Sequence, residues 1–229
     1  MEKHTDNTIN KDYWEKNIEK YSGFYYITSE EQINIPFGLS GLYKKFIFPL
    51  ERKVTLERYN IVCAFIDKHV KPGMKVADIG CGSGIFSKKM LDKGAHVYAM
   101  DYVHSAVELT KKNLSSDTNI KNLQVSQLDI TKHNIPVVDV AISIGVVPYI
   151  SEVGIFFDNI LPYTDKALFN YNDKNNIFNI TRRVLSFLDV RHYSFHSQKQ
   201  ISSLIAKHGF TIVENRTLGT GFILELKKK

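Results

Sequence analysis

Residues 76–101 read VADIGCGSGIFSKKMLDKGAHVYAMD, and they hold the side chains best spaced to do chemistry. Gly80, Gly82 and Gly84 alternate behind Asp78, and Asp101 closes a second apolar run. Bare glycine backbone lets a ligand lie almost on the main chain. An acid about 20 residues further on, at the end of the next strand, can accept hydrogen bonds from a ribose diol. Strand, glycine loop, helix, strand and acid together lay out a site for an adenosine-containing cofactor. The dinucleotide fingerprint is not met: its third glycine falls on Ile85 when read from Gly80, and on Ser87 when read from Gly82. No GK[ST] follows, so this is not a Walker loop either. The ligand need carry no phosphate.

A D-x-G-x-G-x-G loop with an acid after the second strand resembles the class I S-adenosylmethionine-dependent methyltransferases, and I-G-V-V-P-Y-I with the later R-H-Y-S-F-H-S resembles their small-molecule branch. The resemblance implies S-adenosylmethionine as cofactor, S-adenosylhomocysteine as product and no metal. It implies that Asp78 orders the loop near the amino group of the methionine part. Gly80, Cys81, Gly82 and Gly84 bring backbone to the cofactor, Cys81 being small enough for the loop. Asp101 takes the ribose and Tyr102 packs on the adenine. Asp129, in QLDI after the third strand, accepts from the adenine amino group, and Ile130 flanks the ring. Ile144 and Gly145, in AISIGVVPYI, pass the methionine end, and Tyr149 looks into the pocket. Tyr13, Trp14 and Tyr21 resemble the Y-W…Y opening of many such enzymes, although Ser22 stands where an acid usually follows. Each residue also has a plain structural role open to it: Asp78 and the glycines as a turn, Asp101 as a helix cap, Asp129 as a solvated acid. Their joint order along the chain favours the ligand.

Methyl transfer from a sulfonium is an in-line displacement, so the protein mainly aligns the nucleophile and excludes water. An oxygen nucleophile also needs a base, whereas a neutral amine or a thiolate does not. The candidates are His192 and His196, in RHYSFHS, with Tyr149 beside them. Taken singly, each histidine reads as a surface or helix-entry residue; His133 is a more distant candidate, and His4, His69 and His208 look peripheral. Arg182, Arg183 and Arg191 suit a carboxylate or phosphate, hence an anionic small substrate. The alternative is an amphipathic helix over 177–188 with its arginines on the wet face.

These residues need a scaffold of alternating strands and helices. Apolar runs predict strands near 75–79, 96–100, 123–128, 137–144 and 166–171, with a final pair near 210–216 and 222–226. Helices are expected at 83–93, 104–114, 152–161 and 201–208. The fold class is α/β: a doubly wound, mainly parallel seven-stranded sheet with a C-terminal antiparallel hairpin. Residues 1–10 read as a disordered tail, 11–70 as a helical, aromatic cap or lid, and 71–229 as the cofactor-binding domain with a substrate-side insertion at 172–200. The chain has 229 residues, 43% of them hydrophobic, enough for one domain with a real core.

The net charge of +6 is partly terminal, in Lys227, Lys228 and Lys229, and nucleic acid is not expected as a partner. Cys63 and Cys81 form no disulfide framework and no metal spacing, which suits a cytoplasmic setting. No run reaches the roughly 18 apolar residues of a membrane span. After the fourth strand stands Val-Val-Pro-Tyr rather than [DN]-P-P-[YFW], which argues against methylation of adenine-like nitrogens. The leading reading is methyl transfer to an oxygen or nitrogen of a sugar, lipid or secondary metabolite. A second keeps the fold and moves the target to RNA or protein. A third, of another class, is a non-catalytic S-adenosylmethionine-binding module.

Overall fold

The computed structural model describes residues 6–22, 48–184 and 192–229. Two helices come first, α1 (Asp6–Ser22) and α2 (Phe48–His69). Then β1 (Lys75–Ile79), α3 (Ile85–Asp92), β2 (His96–Asp101), α4 (His104–Leu114), β3 (Leu123–Gln127) and β4 (Val140–Ser143) alternate. They are followed by α5 (Val153–Asp158), β5 (Lys166–Asn172), α6 (Ile177–Val184), α7 (Gln198–Lys207), β6 (Phe210–Leu218) and β7 (Gly221–Lys228). All four residues of β4 are buried, as are the last four of β1. Continuous apolar runs of this kind belong to strands covered on both faces.

The seven strands lie in the order β3-β2-β1-β4-β5-β7-β6. The strands from β3 to β5 pair in parallel, and β7 runs antiparallel to both β5 and β6. The expected doubly wound sheet with its C-terminal hairpin is therefore present. Its strand order reverses between β1 and β4, and sheets of this kind hold ligands in a crevice beyond the carboxyl ends of the strands at that point. On one face Phe156, Phe157 and Phe169 meet edge to face, with centroids 5.4–5.5 Å apart. On the other face Val62, Phe65 and Ile66 of α2 are buried with Met90 and Leu91 of α3.

Two expected boundaries change. Helix α1 begins at Asp6 and Asn10 is buried, so residues 6–10 belong to a helix rather than to a disordered tail. The expected cap over 11–70 divides in two. The apolar stripe of α2 buries against the sheet, and Lys68 and His69 at its end both contact Glu225 of β7, at 2.9 and 2.8 Å. Helix α2 is thus a layer of the core, whereas α1 packs on the start of α4 and the β4 loop.

A Cβ on Gly221 would lie 1.9 Å from the carbonyl oxygen of Tyr171, a backbone atom that cannot swing aside. The close approach of β7 to β5 requires glycine there. Gly154, in α5, would meet nothing nearer than Leu204 at 3.9 Å. Gly221→Ala is expected to lower the thermal midpoint by about 5 °C or more. Gly154→Ala should leave it unchanged or raise it, because alanine is the better helix former. Calorimetric melting of the two variants beside wild type checks both.

Candidate cofactor site

The glycine loop is fastened from β2. The N–H groups of Gly80 and Cys81 both donate to the carbonyl of Met100, at 2.7 and 3.1 Å. The N–H of Gly82 donates to Asp101 Oδ2 at 3.0 Å, and the N–H of Val103 to Asp101 Oδ1 at 3.0 Å. One carboxylate therefore ties the β1–α3 loop to the β2–α4 turn. Gly80 and Gly82 serve different ends. At Gly80 (φ 74) a Cβ would lie 2.1 Å from Val146 Cγ2, so packing on the β4 loop demands glycine. At Gly82 (φ 55) a Cβ would meet Ile18 Cδ1 of α1 at an ordinary contact distance of 3.8 Å, so no atom crowds the backbone there. Gly84 is the residue before α3, and Cys81 is buried with its Sγ 3.5 Å from Thr110 Oγ1.

Asp78 is 2% exposed and accepts from Ser87 Oγ at 2.6 Å, which holds the first turn of α3 against β1. Burial pushes its carboxyl up to about 6, against an ordinary 3.8, and the charge of Asp101 adds to the rise. Burial also pushes Asp101 up to about 6, while donation from Val103, Gly82 and Tyr102 N–H groups holds it back. Both acids bind protons more tightly in the folded chain than in the unfolded one. Their contribution to stability is present at low pH and is lost as the pH rises through about 6. A ligand that donates hydrogen bonds to the Asp101 carboxylate offsets that loss and prefers the charged form.

The remaining predicted residues follow the carboxyl ends of β2, β3 and β4. Tyr102 is half-buried and follows Asp101, and burial raises its hydroxyl pKa. Asp129 accepts from the backbone N–H and the hydroxyl of Thr131, at 3.0 and 2.6 Å, and pairs with Lys132 at 3.0 Å. Burial opposes those contacts, yet its carboxyl stays below the usual value. Ile130 is buried in the core beside it. Ile144 is half-buried, and the N–H of Gly145 donates to Asn170 Oδ1 at 2.6 Å, which fixes the end of β4. A Cβ on Gly145 (φ 83) would meet nothing within 4 Å, a stretch of backbone facing open space.

Helix α1 bridges the crevice. Its Glu15 carboxylate accepts from the N–H groups of His104 and Ser105, at 2.7 and 2.9 Å. Val103, the residue before α4, offers no side-chain cap, so Glu15 supplies one from a distant element and meets the positive end of the helix. Asn10 forms a pair with the His192 backbone: Nδ2 donates to the carbonyl and Oδ1 accepts from the N–H, each at 2.9 Å. Trp14 packs edge-on against Tyr149 at 5.5 Å, and Tyr149 against Tyr193 at 5.3 Å. Helix α1 thereby touches the start of α4, the β4 loop and the insertion.

The insertion residues separate by role. His196 is 4% exposed, its Nε2 lies 3.2 Å from the Ile150 carbonyl, and burial lowers its pKa. That makes it a fastener between the insertion and the β4 loop, where a candidate base or a surface or helix-entry residue was expected. His192 stands exposed at the rim. The Arg182 guanidinium sits over the Tyr193 ring at 4.8 Å, and Arg183 is exposed on the same helix. Arg191 and the side chain of Tyr21 lie outside the described residues. Glu15, Asn10, Asn170 and Ser87 were not foreseen. Their partners lie 89, 182, 25 and 9 residues away, and only Ser87, one helical turn into α3, had a local signal.

Residues 70–212 match the family model described as a methyltransferase domain, which covers more than half of the chain. The chain belongs to this family. Among curated relatives, the domain is 31% identical over 114 residues to a ribosomal protein L11 methyltransferase of Caldanaerobacter subterraneus subsp. tengcongensis, covering 44% of this chain and 37% of that one. It is 35% identical over 66 residues to a ubiquinone biosynthesis O-methyltransferase of Nitrosospira multiformis, covering 28% of each. Both matches therefore span well under half of the relative's own length. The whole fold of this methyltransferase domain is similar to that of the magnesium protoporphyrin IX methyltransferase of Synechocystis PCC 6803, solved with S-adenosylhomocysteine. There the TM-score is 0.75 at 18% identity, over 97% of this chain and 100% of that one. The same enzyme with S-adenosylmethionine gives 0.72 at 19% identity. The residues present fit that cofactor. Gly145 leaves open backbone at the end of β4, and Asp101 is a buried acceptor held between Gly82 and the next turn.

Glu15→Ala is expected to free α1 from α4. Amide exchange in α1 should speed up, and S-adenosylmethionine should bind about tenfold more weakly, the loss of one charge-assisted interaction. Hydrogen exchange with mass spectrometry and calorimetry read the two effects.

Proposed function

We propose that this protein transfers the methyl group of S-adenosylmethionine to an oxygen or nitrogen of a small molecule. One observation carries the reading. The crevice at the reversal of strand order is bridged by α1, whose Glu15 reaches the ribose side and whose Trp14 and Asn10 reach the opposite side. A bridged crevice suits an acceptor that can be enclosed, and it favours a small molecule over a folded macromolecule.

When bound, the cofactor supplies a methyl group already activated on sulfur. The protein's work is orientation and exclusion of water. Asp101 would hold the ribose, Tyr102 and Ile130 would flank the adenine, and Asp129 would take its edge. The Gly145 turn, fixed by Asn170, would carry the methionine end. Tyr149, between Trp14 and Tyr193, forms the aromatic wall on which the acceptor packs. With His196 committed to the Ile150 carbonyl, His192 at the rim is the base for an oxygen acceptor. Arg182, stacked on Tyr193, brings positive charge to that wall and suits an anionic group on the acceptor. Relatives are named for ubiquinone O-methylation and for ribosomal protein L11, and the bridging by α1 is what favours the first kind of acceptor.

Wild type should bind both S-adenosylmethionine and S-adenosylhomocysteine in calorimetry. Asp101→Asn should weaken both by about ten- to a hundredfold, because a ribose diol would lose its charged acceptor. Wild-type affinity should fall as the pH drops through about 6, where Asp101 takes up its proton, and Asp101→Asn should lose much of that slope. Labelled methyl groups are expected in the small-molecule fraction of a cell extract; label confined to protein or RNA would contradict the acceptor class. With the acceptor found and oxygen its nucleophile, His192→Ala should lower kcat by roughly a hundredfold with little change in cofactor affinity.

A further inference from the structure

Helix α6 is turned with its apolar stripe outward. Ile177, Ile180 and Val184 fall at the helical spacing of one face, yet they are 66%, 37% and 70% exposed, and Phe178 is 72% exposed. The one residue of α6 that is buried is Asn179. Its Nδ2 donates to the carbonyls of Asp173 and Thr220, both at 2.7 Å. The polar side is pinned to the body and the apolar side faces away from it. The arginines of α6 are exposed, as the amphipathic-helix alternative expected, but its apolar residues are exposed with them.

The surroundings are basic. Lys174, Arg182 and Arg183 are exposed on and beside α6, and α6 itself holds no acid. Thr220, which anchors Asn179, sits in the β6–β7 turn next to Gly219. Val54 of α2 reaches to within 3.0 Å of where a Cβ on Gly219 would stand. That places exposed Arg52 and Lys53, just before Val54, at the same end of the molecule. Among the described residues no helix is long and apolar enough to cross a membrane.

We propose that this end of the protein docks on the surface of an anionic phospholipid bilayer. Ile177, Phe178, Ile180 and Val184 enter the boundary between headgroups and acyl chains, and Lys174, Arg183, Arg52 and Lys53 meet the anionic headgroups. An apolar stripe flanked by cations is the pattern of helices that lie in a membrane interface. Charge decides against a second copy of this chain as the occupant. A two-fold contact through α6 would set each copy's arginines against the other's with no acid on the helix to offset them. Arg182 links this face to Tyr193 and Tyr149, so the docked surface adjoins the aromatic wall of the crevice. The inference stands on the α6 face and does not require the proposed reaction.

The full chain is sedimented with vesicles of phosphatidylcholine alone, and with vesicles carrying about one-third phosphatidylglycerol. Wild type should pellet with the anionic vesicles at least about tenfold more than with the neutral ones, and high salt should reduce the difference. Phe178→Asp and Lys174→Glu should each fall toward the neutral level while S-adenosylmethionine binding, measured by calorimetry, stays as in wild type. Equal pelleting with both vesicles, or both variants pelleting like wild type, overturns the proposal. So does a wild-type dimer, seen by sedimentation velocity without lipid, that Phe178→Asp converts to a monomer: the face would then be an interface between copies.

Discussion

The Asp101 carboxylate is the joint on which the site depends. It accepts from the glycine loop on one side and from the β2–α4 turn on the other. Those two segments leave different strands, and nothing else described binds the loop to that turn through a side chain with charge. The joint is made in a buried place, where a carboxylate is held against its preference to be solvated. The resulting rise in its pKa marks a group that gains from further donors. A ribose diol brought to the end of β2 would supply such donors, so the interaction that shapes the loop is also the one that would receive the adenosine.

Helix α1 builds on that joint. Its Glu15 caps the helix that begins three residues after Asp101, and its Ile18 comes nearest to where a Cβ on Gly82 would stand. At the far end Asn10 grips the insertion, and Trp14 leans on Tyr149. The cofactor end and the acceptor end of the crevice are thus read by one helix. Movement of α1 would open both at once. Coupling of this kind suits a reaction in which water must be kept from an activated methyl group.

The sheet was legible because buried parallel strands announce themselves as short continuous apolar runs, as in Val76–Ala77 before Asp78 and in Val140–Ser143. The acids at strand ends were legible because their spacing from the glycines is set by one strand and one helix. Local pattern carries no record of a partner chosen by the fold, and the departures all have that origin. Glu15 has no helix of its own to cap. Asn170 looks like an ordinary strand residue until Gly145 is brought beside it. His196 reads as a candidate base until burial puts a carbonyl on its ring. Helix α6 has the periodicity of a core-facing helix, but two hydrogen bonds from Asn179 hold its other side to the body. The cap over 11–70 divides because the stripe of α2 finds the sheet whereas α1 finds the crevice.

The central claim is that this methyltransferase domain holds S-adenosylmethionine across the crevice from Asp101 to Gly145, beneath α1. A crystal structure of the full chain grown with S-adenosylhomocysteine tests it most directly. The account predicts the ribose hydroxyls on Asp101, the adenine against Tyr102 beside Asp129, the homocysteine along the Gly145 turn, and α1 closed over them through Glu15. Nucleoside density elsewhere on the molecule, or in the crevice with Asp101 making no contact to the ribose, would contradict it.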